Sequence, residues 1–272
     1  MKQLIYHISS LLEAAYPQDE AQALAWWIVE EETGLSRSQL LCGCKDTAFS
    51  PHMQTIVDRL LHFEPIQYIF GHTLWFGLDL KVSPATLIPR PETAELVEKI
   101  LSTLNVKLST AHSCVLDIGT GSGCIAIALK KAHPEWQVTG IDISEEAIAI
   151  AKENAKRNHV EVDFQVVDIF DFHGDFDVVV SNPPYVCVSE KTSMRRNVLE
   201  YEPATALFVP DNDPLRFYRR IAESKIGKHL FFEINEAYPA EMEVMLRENG
   251  YTDIQITIDI YGKPRIIEAR MA

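Results

Sequence analysis

The stretch Asp117-Ile118-Gly119-Thr120-Gly121-Ser122-Gly123 constrains this chain more than any other. It joins an apolar run, Cys114-Val115-Leu116-Asp117-Ile118, to residues 125–131, whose spacing is helical. A buried strand that turns through alternate glycines into a helix is the opening unit of an open α/β sheet. Such sheets take ligands outside the carboxyl ends of their strands. Glycine lets the backbone approach a ligand closely and adopt dihedral angles closed to other residues. The spacing here is Gly-x-Gly-x-Gly, which departs from the Gly-x-Gly-x-x-Gly of nicotinamide-binding sheets. The loop therefore marks a ligand site without identifying its occupant.

The rest of the chain supports that reading. Strands are expected at 138–141, 162–167 and 178–181, with an alanine-rich helix at 145–158. Further elements at 215–222, 229–234 and 240–249 and two strands at 254–258 and 266–269 complete the pattern. This alternation builds a mostly parallel sheet with helices on both faces, and the consecutive last strands imply an antiparallel edge hairpin.

Residues 1–63 read differently. Leu4, Ile5, Ile8, Leu11, Leu12 and Ala15 recur at helical spacing, as do Ala21, Leu24, Ala25, Ile28 and Val29. Gly34 is a stop, Ser36 a cap, and Ser50-Pro51 opens another helix. Trp26 and Trp27 cannot share one helix face, so one ring is assigned to the core and the other to a surface. From Ile66 to Leu87, aromatics, β-branched residues and glycines suggest a strand pair joining two domains. Pro89 and Pro91 punctuate the join, and a helix starts by Thr93. The division expected is a helical domain at 1–63, a linking hairpin at 64–88 and a sheet domain at 89–272.

With 272 residues, the chain is long enough for one α/β domain and a smaller companion. Its formal net charge of −14 lacks the basic footprint usual in proteins that grip nucleic acid. The five cysteines fit no disulfide framework, and Cys42-Gly43-Cys44 has no second ligand pair for structural zinc. Neither a basic segment leading into an apolar run nor an apolar stretch of about 20 residues is present. These features point to a cytoplasmic protein with reduced thiols and no membrane partner.

Further positions fall on the rim beside the glycine loop. Asp142 ends the second strand, where an acidic side chain takes ribose hydroxyls. Asp168 ends the next, suited to an adenine amino group, with Ile169 or Phe170 against the ring. Both aspartates would also serve as plain turn caps. Next comes Phe176-Asp177-Val178-Val179-Val180-Ser181-Asn182-Pro183-Pro184-Tyr185. Three valines in a row make a fully buried strand, so Asn182 lies at its carboxyl end. The prolines stiffen the turn and offer carbonyls without N–H groups. The Asn182 side-chain oxygen and the Pro183 carbonyl suit the two N–H groups of a planar nitrogen, and Tyr185 offers a flat surface. The competing reading is a proline turn in which the asparagine bonds its own backbone.

Asn182-Pro183-Pro184-Tyr185 after a Gly-x-Gly-x-Gly loop resembles the amino-methyltransferases, which act on exocyclic amines of bases or on glutamine. Over nearly its whole length the chain is similar to the HemK-type release factor glutamine methyltransferases. The likeness rests on Glu64-Pro65-Ile66-Gln67-Tyr68-Ile69, Leu87-Ile88-Pro89-Arg90-Pro91-Glu92-Thr93, Tyr201-Glu202-Pro203, Ala206-Leu207, Gly262 and Arg265. The resemblance implies a seven-stranded, Rossmann-like class I fold with a small N-terminal helical domain. It implies S-adenosylmethionine held by Gly119, Thr120, Gly121, Ser122, Gly123, Asp142, Asp168, Ile169 and Asn182. It places a substrate glutamine against Asn182 to Tyr185, with Arg90, Glu92 and Thr93 at the substrate pocket. The partners it implies are peptide chain release factors, methylated on the glutamine of a Gly-Gly-Gln tip, with no direct nucleic-acid substrate. The alternatives are another protein glutamine, such as one on a ribosomal protein, or an adenine amine. Glu233-Ile234-Asn235-Glu236 and Val209-Pro210-Asp211-Asn212-Asp213 depart from the family pattern in local loop sequence.

Overall fold

The computed structural model describes residues 1–42, 47–107 and 113–272. Helices α1 (Lys2–Leu12), α2 (Gln18–Thr33), α3 (Arg37–Leu41), α4 (Pro51–Leu61) and α5 (Ile66–Phe70) come first. A hairpin of β1 (His72–Trp75) and β2 (Leu78–Lys81) precedes α6 (Pro91–Lys107). Then β3 (Cys114–Ile118), α7 (Cys124–Ala132), β4 (Gln137–Asp142), α8 (Glu145–Arg157), β5 (Asp163–Val166) and β6 (Phe176–Ser181) alternate. Short strands β7 (Val186–Cys187) and β8 (Phe208–Val209) flank α9 (Arg196–Tyr201). The order ends with α10 (Arg216–Ser224), β9 (Gly227–Glu233), α11 (Pro239–Glu248), β10 (Tyr251–Ile258) and β11 (Pro264–Met271). Among the described residues, no helix is long and apolar enough to cross a membrane.

The chain divides into two compact units, Met1–Phe70 with Arg195–Tyr201, and Gly71–Met194 with Glu202–Ala272. In the first, Leu4, Ile5, Ile8 and Leu12 of α1 are buried on one face, as are Ala21, Ala25, Ile28 and Val29 of α2. Ser36 and Gln39 form a reciprocal capping box on α3, and Ser50 accepts the Met53 N–H at 3.0 Å to start α4. Trp26 and Trp27 are both half-buried, because each flanks the Ala25–Ile28 stripe rather than lying in it. The expected single core ring is therefore absent. Residues 195–201 join this unit from far along the chain: the Tyr201 hydroxyl donates to the His62 carbonyl at 2.9 Å. Cys44 lies outside the described residues, and the reading of the Cys42–Cys44 pair with it.

The strand pair expected over 66–87 is confined to 72–81. The Pro65 carbonyl accepts the N–H of Tyr68 at 2.9 Å and of Ile69 at 3.1 Å, which winds 66–70 into a helix. Gly71, at φ +76°, ends it. A short apolar run does not separate helix from strand by periodicity. The hairpin is also built into the second unit: Trp75, Leu78 and Leu80 share a core with Leu96, Ile127 and Ile148.

The main sheet has the order β10-β11-β9-β6-β3-β4-β5. β9, β6, β3, β4 and β5 are parallel, and β11 runs antiparallel to both β9 and β10. The final hairpin is present, with β10 as the edge. Val115, Val178 and Val180 face the core under α6, α7 and α8, whereas Leu116, Val179 and Leu230 face the core under α10 and α11. Burying each valine contributes roughly 1.5–3 kcal/mol. The chain runs outward from β3 through β4 to β5, then returns to the other side of β3 as β6. That reversal opens a crevice at the carboxyl ends of β3 and β6.

Candidate active site

A cavity of about 620 Å³ occupies this crevice. Its floor is the glycine loop. The N–H groups of Gly119 and Thr120 both donate to the Ile141 carbonyl at 2.9 Å, which pins the loop to β4. Gly119, Gly121 and Gly123 have φ of +70°, +54° and +81°. At Gly123 a Cβ would also meet Ala151, Ile127 and Phe164 at 3.1 Å, so those side chains would have to give way by a few tenths of an ångström. Beneath the loop, Asp117 is wholly buried. Its Oδ2 accepts the Thr120 hydroxyl at 2.6 Å and the Ala126 N–H at 3.2 Å, while Oδ1 has no hydrogen-bond partner among the described residues. Burial pushes its carboxyl up to about 7, despite those two bonds.

Asp142 serves as cap and as rim. Its Oδ2 accepts the Gly121 N–H at 2.9 Å and Oδ1 the Ser144 N–H at 3.0 Å. A carboxylate has about four lone-pair sites, so these bonds orient the group toward the cavity without saturating it. Asp168 likewise accepts the Phe170 N–H at 2.9 Å. Asp168, Ile169 and Phe170 all line the cavity. Facing them is a pair the sequence reading did not single out, Arg216 and Phe217. The Phe170 and Phe217 rings lie 5.8 Å apart, with the Arg216 guanidinium 5.2 Å from each. A cation followed by an aromatic at a helix start is too common to mark a site by itself.

On the other wall, the Ser181 hydroxyl donates to the Ile118 carbonyl at 2.7 Å and ties β6 to β3. One residue on, the Asn182 amide nitrogen donates to the Thr93 hydroxyl oxygen at 3.0 Å. Asn182 thus reaches across to α6 instead of capping its own turn. Thr93 donates in turn to Glu233 at 2.7 Å, and the Tyr185 hydroxyl donates to the other Glu233 oxygen at 3.0 Å. Burial pushes the Glu233 carboxyl up, and the bonds from Thr93 and Tyr185 and the charge of Arg265 act against it.

Comparison with known proteins completes the picture. Residues 3–71 match the PrmC N-terminal domain and residues 97–201 the methyltransferase small domain. The release factor glutamine methyltransferase of Bacteroides thetaiotaomicron is 45% identical, with 99% of each chain covered. The chain belongs to the release factor glutamine methyltransferases. The Flavobacterium psychrophilum member of this release factor glutamine methyltransferase family is 41% identical, with 94% of each chain covered. Among solved structures, the hMettl16 catalytic domain in complex with an RNA hairpin superposes with a TM-score of 0.56, covering 85% of this chain and 86% of that one. At 17% identity that likeness shows the methyltransferase fold alone.

In this release factor glutamine methyltransferase, Gly119, Thr120, Gly121, Ser122, Asn182, Pro183 and Pro184 all reach the cavity. Gly123 lies behind the loop and is not part of the wall. Tyr185 also turns away: it packs into the core under α10 and α11, and burial drives its phenol well above the ordinary range. Arg90 and Thr93 line the cavity, whereas Glu92 does not. Arg90 is held by an ion pair to Glu202, whose side chain is fully buried and also accepts the Ile88 N–H at 3.2 Å.

Proposed function

We propose that this chain transfers a methyl group from S-adenosylmethionine to the side-chain amide nitrogen of the Gly-Gly-Gln glutamine in peptide chain release factors. The observation that carries this reading is Asn182 at the end of β6, lining the cavity with its amide nitrogen tied to Thr93. Its oxygen is then the atom left to accept an N–H from a planar substrate amide.

The cavity suits the methyl donor. Two carboxylates, Asp142 at the end of β4 and Asp168 two residues beyond β5, flank the glycine loop, with Ile169 and Phe170 offering apolar surface for a base. Asp142 would hold ribose hydroxyls, and Asp168 the polar edge of the adenine. When bound, S-adenosylmethionine supplies an electrophilic methyl on a positively charged sulfur. An amide nitrogen is a poor nucleophile, since its lone pair is delocalised into the carbonyl. Asn182 and the Pro183 carbonyl take its two N–H groups, aim the lone pair and favour the positive charge that grows on nitrogen. The released proton passes to solvent, so no strong base is required.

The first 80 residues carry four basic against ten acidic side chains, a net of −6. A release factor works among ribosomal RNA, and basic surface on it would meet this charge favourably. That substrate puts the reaction in the cytoplasm. The test is incubation of the full chain with labelled methyl donor, a purified release factor, and RNA or DNA. Label on the factor's glutamine supports the reading; label in nucleic acid with none in the factor overturns it.

A further inference from the structure

We infer that Thr93 and Glu233 set the direction of the Asn182 amide, acting as positioning residues for methyl transfer. This rests on the proposed role of Asn182 as acceptor for the reacting amide. The three side chains come from α6, the exit of β6 and the end of β9. Asn182 and Glu233 lie 89 and 140 residues beyond Thr93 in sequence, and the two meet because Ser181 and Phe232 are register partners in adjacent parallel strands.

The polarity of the chain follows from counting hydrogens. Both Glu233 oxygens take a hydroxyl hydrogen, Oε1 from Tyr185 and Oε2 from Thr93, and a threonine hydroxyl has one hydrogen to give. Thr93 Oγ1 lies 2.7 Å from Glu233 Oε2, so the hydrogen goes there. Its oxygen is left to accept, and it accepts from Asn182 Nδ2 at 3.0 Å. Asn182 Oδ1 is therefore turned away from Thr93 and kept as an acceptor at the cavity. Reversed polarity would place the Asn182 NH₂ against a substrate NH₂, donor against donor. Two groups hold Glu233 in the orientation this needs. Tyr185 donates to Oε1 at 3.0 Å, and Tyr218 fastens the Glu233 main-chain carbonyl at 2.8 Å. Arg265 on β11 is the cation beside it, and Glu92 on α6 the opposing anion. Thr93 is 3% exposed and Glu233 1%, so water does not compete for these bonds. A neutral hydroxyl in the middle passes on the direction of the carboxylate while keeping the charge itself off the reacting nitrogen.

The experiment is steady-state methylation of a release factor by the full chain carrying Thr93→Val, Thr93→Ser, Glu233→Gln, Asn182→Ala, or Thr93→Val with Glu233→Gln. Thr93→Val should lower kcat about ten- to a hundredfold, the scale of a misaligned reacting group. Its KM for the factor and its affinity for S-adenosylmethionine should stay within a few-fold of wild type. Thr93→Ser should recover most of the rate. Glu233→Gln, whose NH₂ can donate to Thr93 and reverse the chain, should lose a similar factor, and it tests the same link should Thr93→Val fail to fold. The double variant should be no more than about twofold worse than the poorer single one, as expected for groups acting as a unit. Wild-type kcat in both Thr93→Val and Glu233→Gln, with Asn182→Ala inactive, overturns the inference alone. A serine variant no better than the valine one also overturns it. Unchanged turnover in Asn182→Ala overturns the reading beneath it.

Discussion

The Gly121 main-chain N–H meets Oδ2 of Asp142 at 2.9 Å, so the tip of the glycine loop is moored to the end of the neighbouring strand. Loop and carboxylate are one structure with two duties: Asp142 shapes the floor of the cavity and forms part of its rim. Asp142→Ala removes both at once. Affinity for S-adenosylmethionine should fall by about 1–3 kcal/mol, the cost of leaving buried polar partners unmet. Titration calorimetry measures this directly, and unchanged affinity would take Asp142 out of the site.

Asp117 gives the fold a pH dependence. Its carboxyl sits at about 7 in the folded chain against an ordinary value of 3.8, because it is fully buried. Between those values the folded chain holds a proton that the unfolded chain has lost. Stability is therefore greatest below the lower value, falls as pH rises through the window, and levels off above about 7. The upper limit of the effect is on the order of 4 kcal/mol. Asp117→Asn keeps an acceptor for Thr120 or Ala126 and does not titrate. Its melting temperature should change less between about pH 5 and pH 8 than that of wild type. Parallel profiles for the two proteins would contradict the assignment.

Much of the sheet and of the cavity rim is legible in the sequence, because each signal is local. Val178, Val179 and Val180 mark a strand buried on both faces wherever it lies in the order, and the glycines mark the turn after β3. What was not legible is what topology alone supplies. Thr93 reads as one more residue of the Arg90-Pro91-Glu92-Thr93 string, and Glu233 as the end of a strand. Only the placement of β6 beside β9 joins them through Asn182. Tyr185, expected to offer a surface to the substrate, instead commits its hydroxyl to Glu233 at 3.0 Å. Residues 195–201 join the first unit from 125 or more positions away in the chain, a distance over which periodicity carries no information. The helix at Ile66–Phe70 is hidden for the opposite reason, since Ile66, Tyr68, Ile69 and Phe70 around Gln67 fit a strand equally well.

Recognition of the protein substrate should depend on salt. If the −6 charge of the first 80 residues draws in a basic release factor, kcat/KM for the whole factor should fall several-fold between low and physiological ionic strength. A free Gly-Gly-Gln peptide should be a poor substrate with little salt dependence, because it lacks the outlying contacts that position the amide. Equal rates on factor and peptide would show that selection rests on the cavity alone.

On the proposed reading, Asn182 acts on the reacting amide and hardly at all on the methyl donor. The direct measurement compares wild type with Asn182→Ala for turnover on a purified release factor and, separately, for affinity toward S-adenosylmethionine. Turnover should fall by about a hundredfold or more, as when an acceptor used mainly in the transition state is removed, with donor affinity within a few-fold of wild type. Near-normal kcat in the variant, or a loss of donor affinity large enough to account for the lost rate, would contradict it.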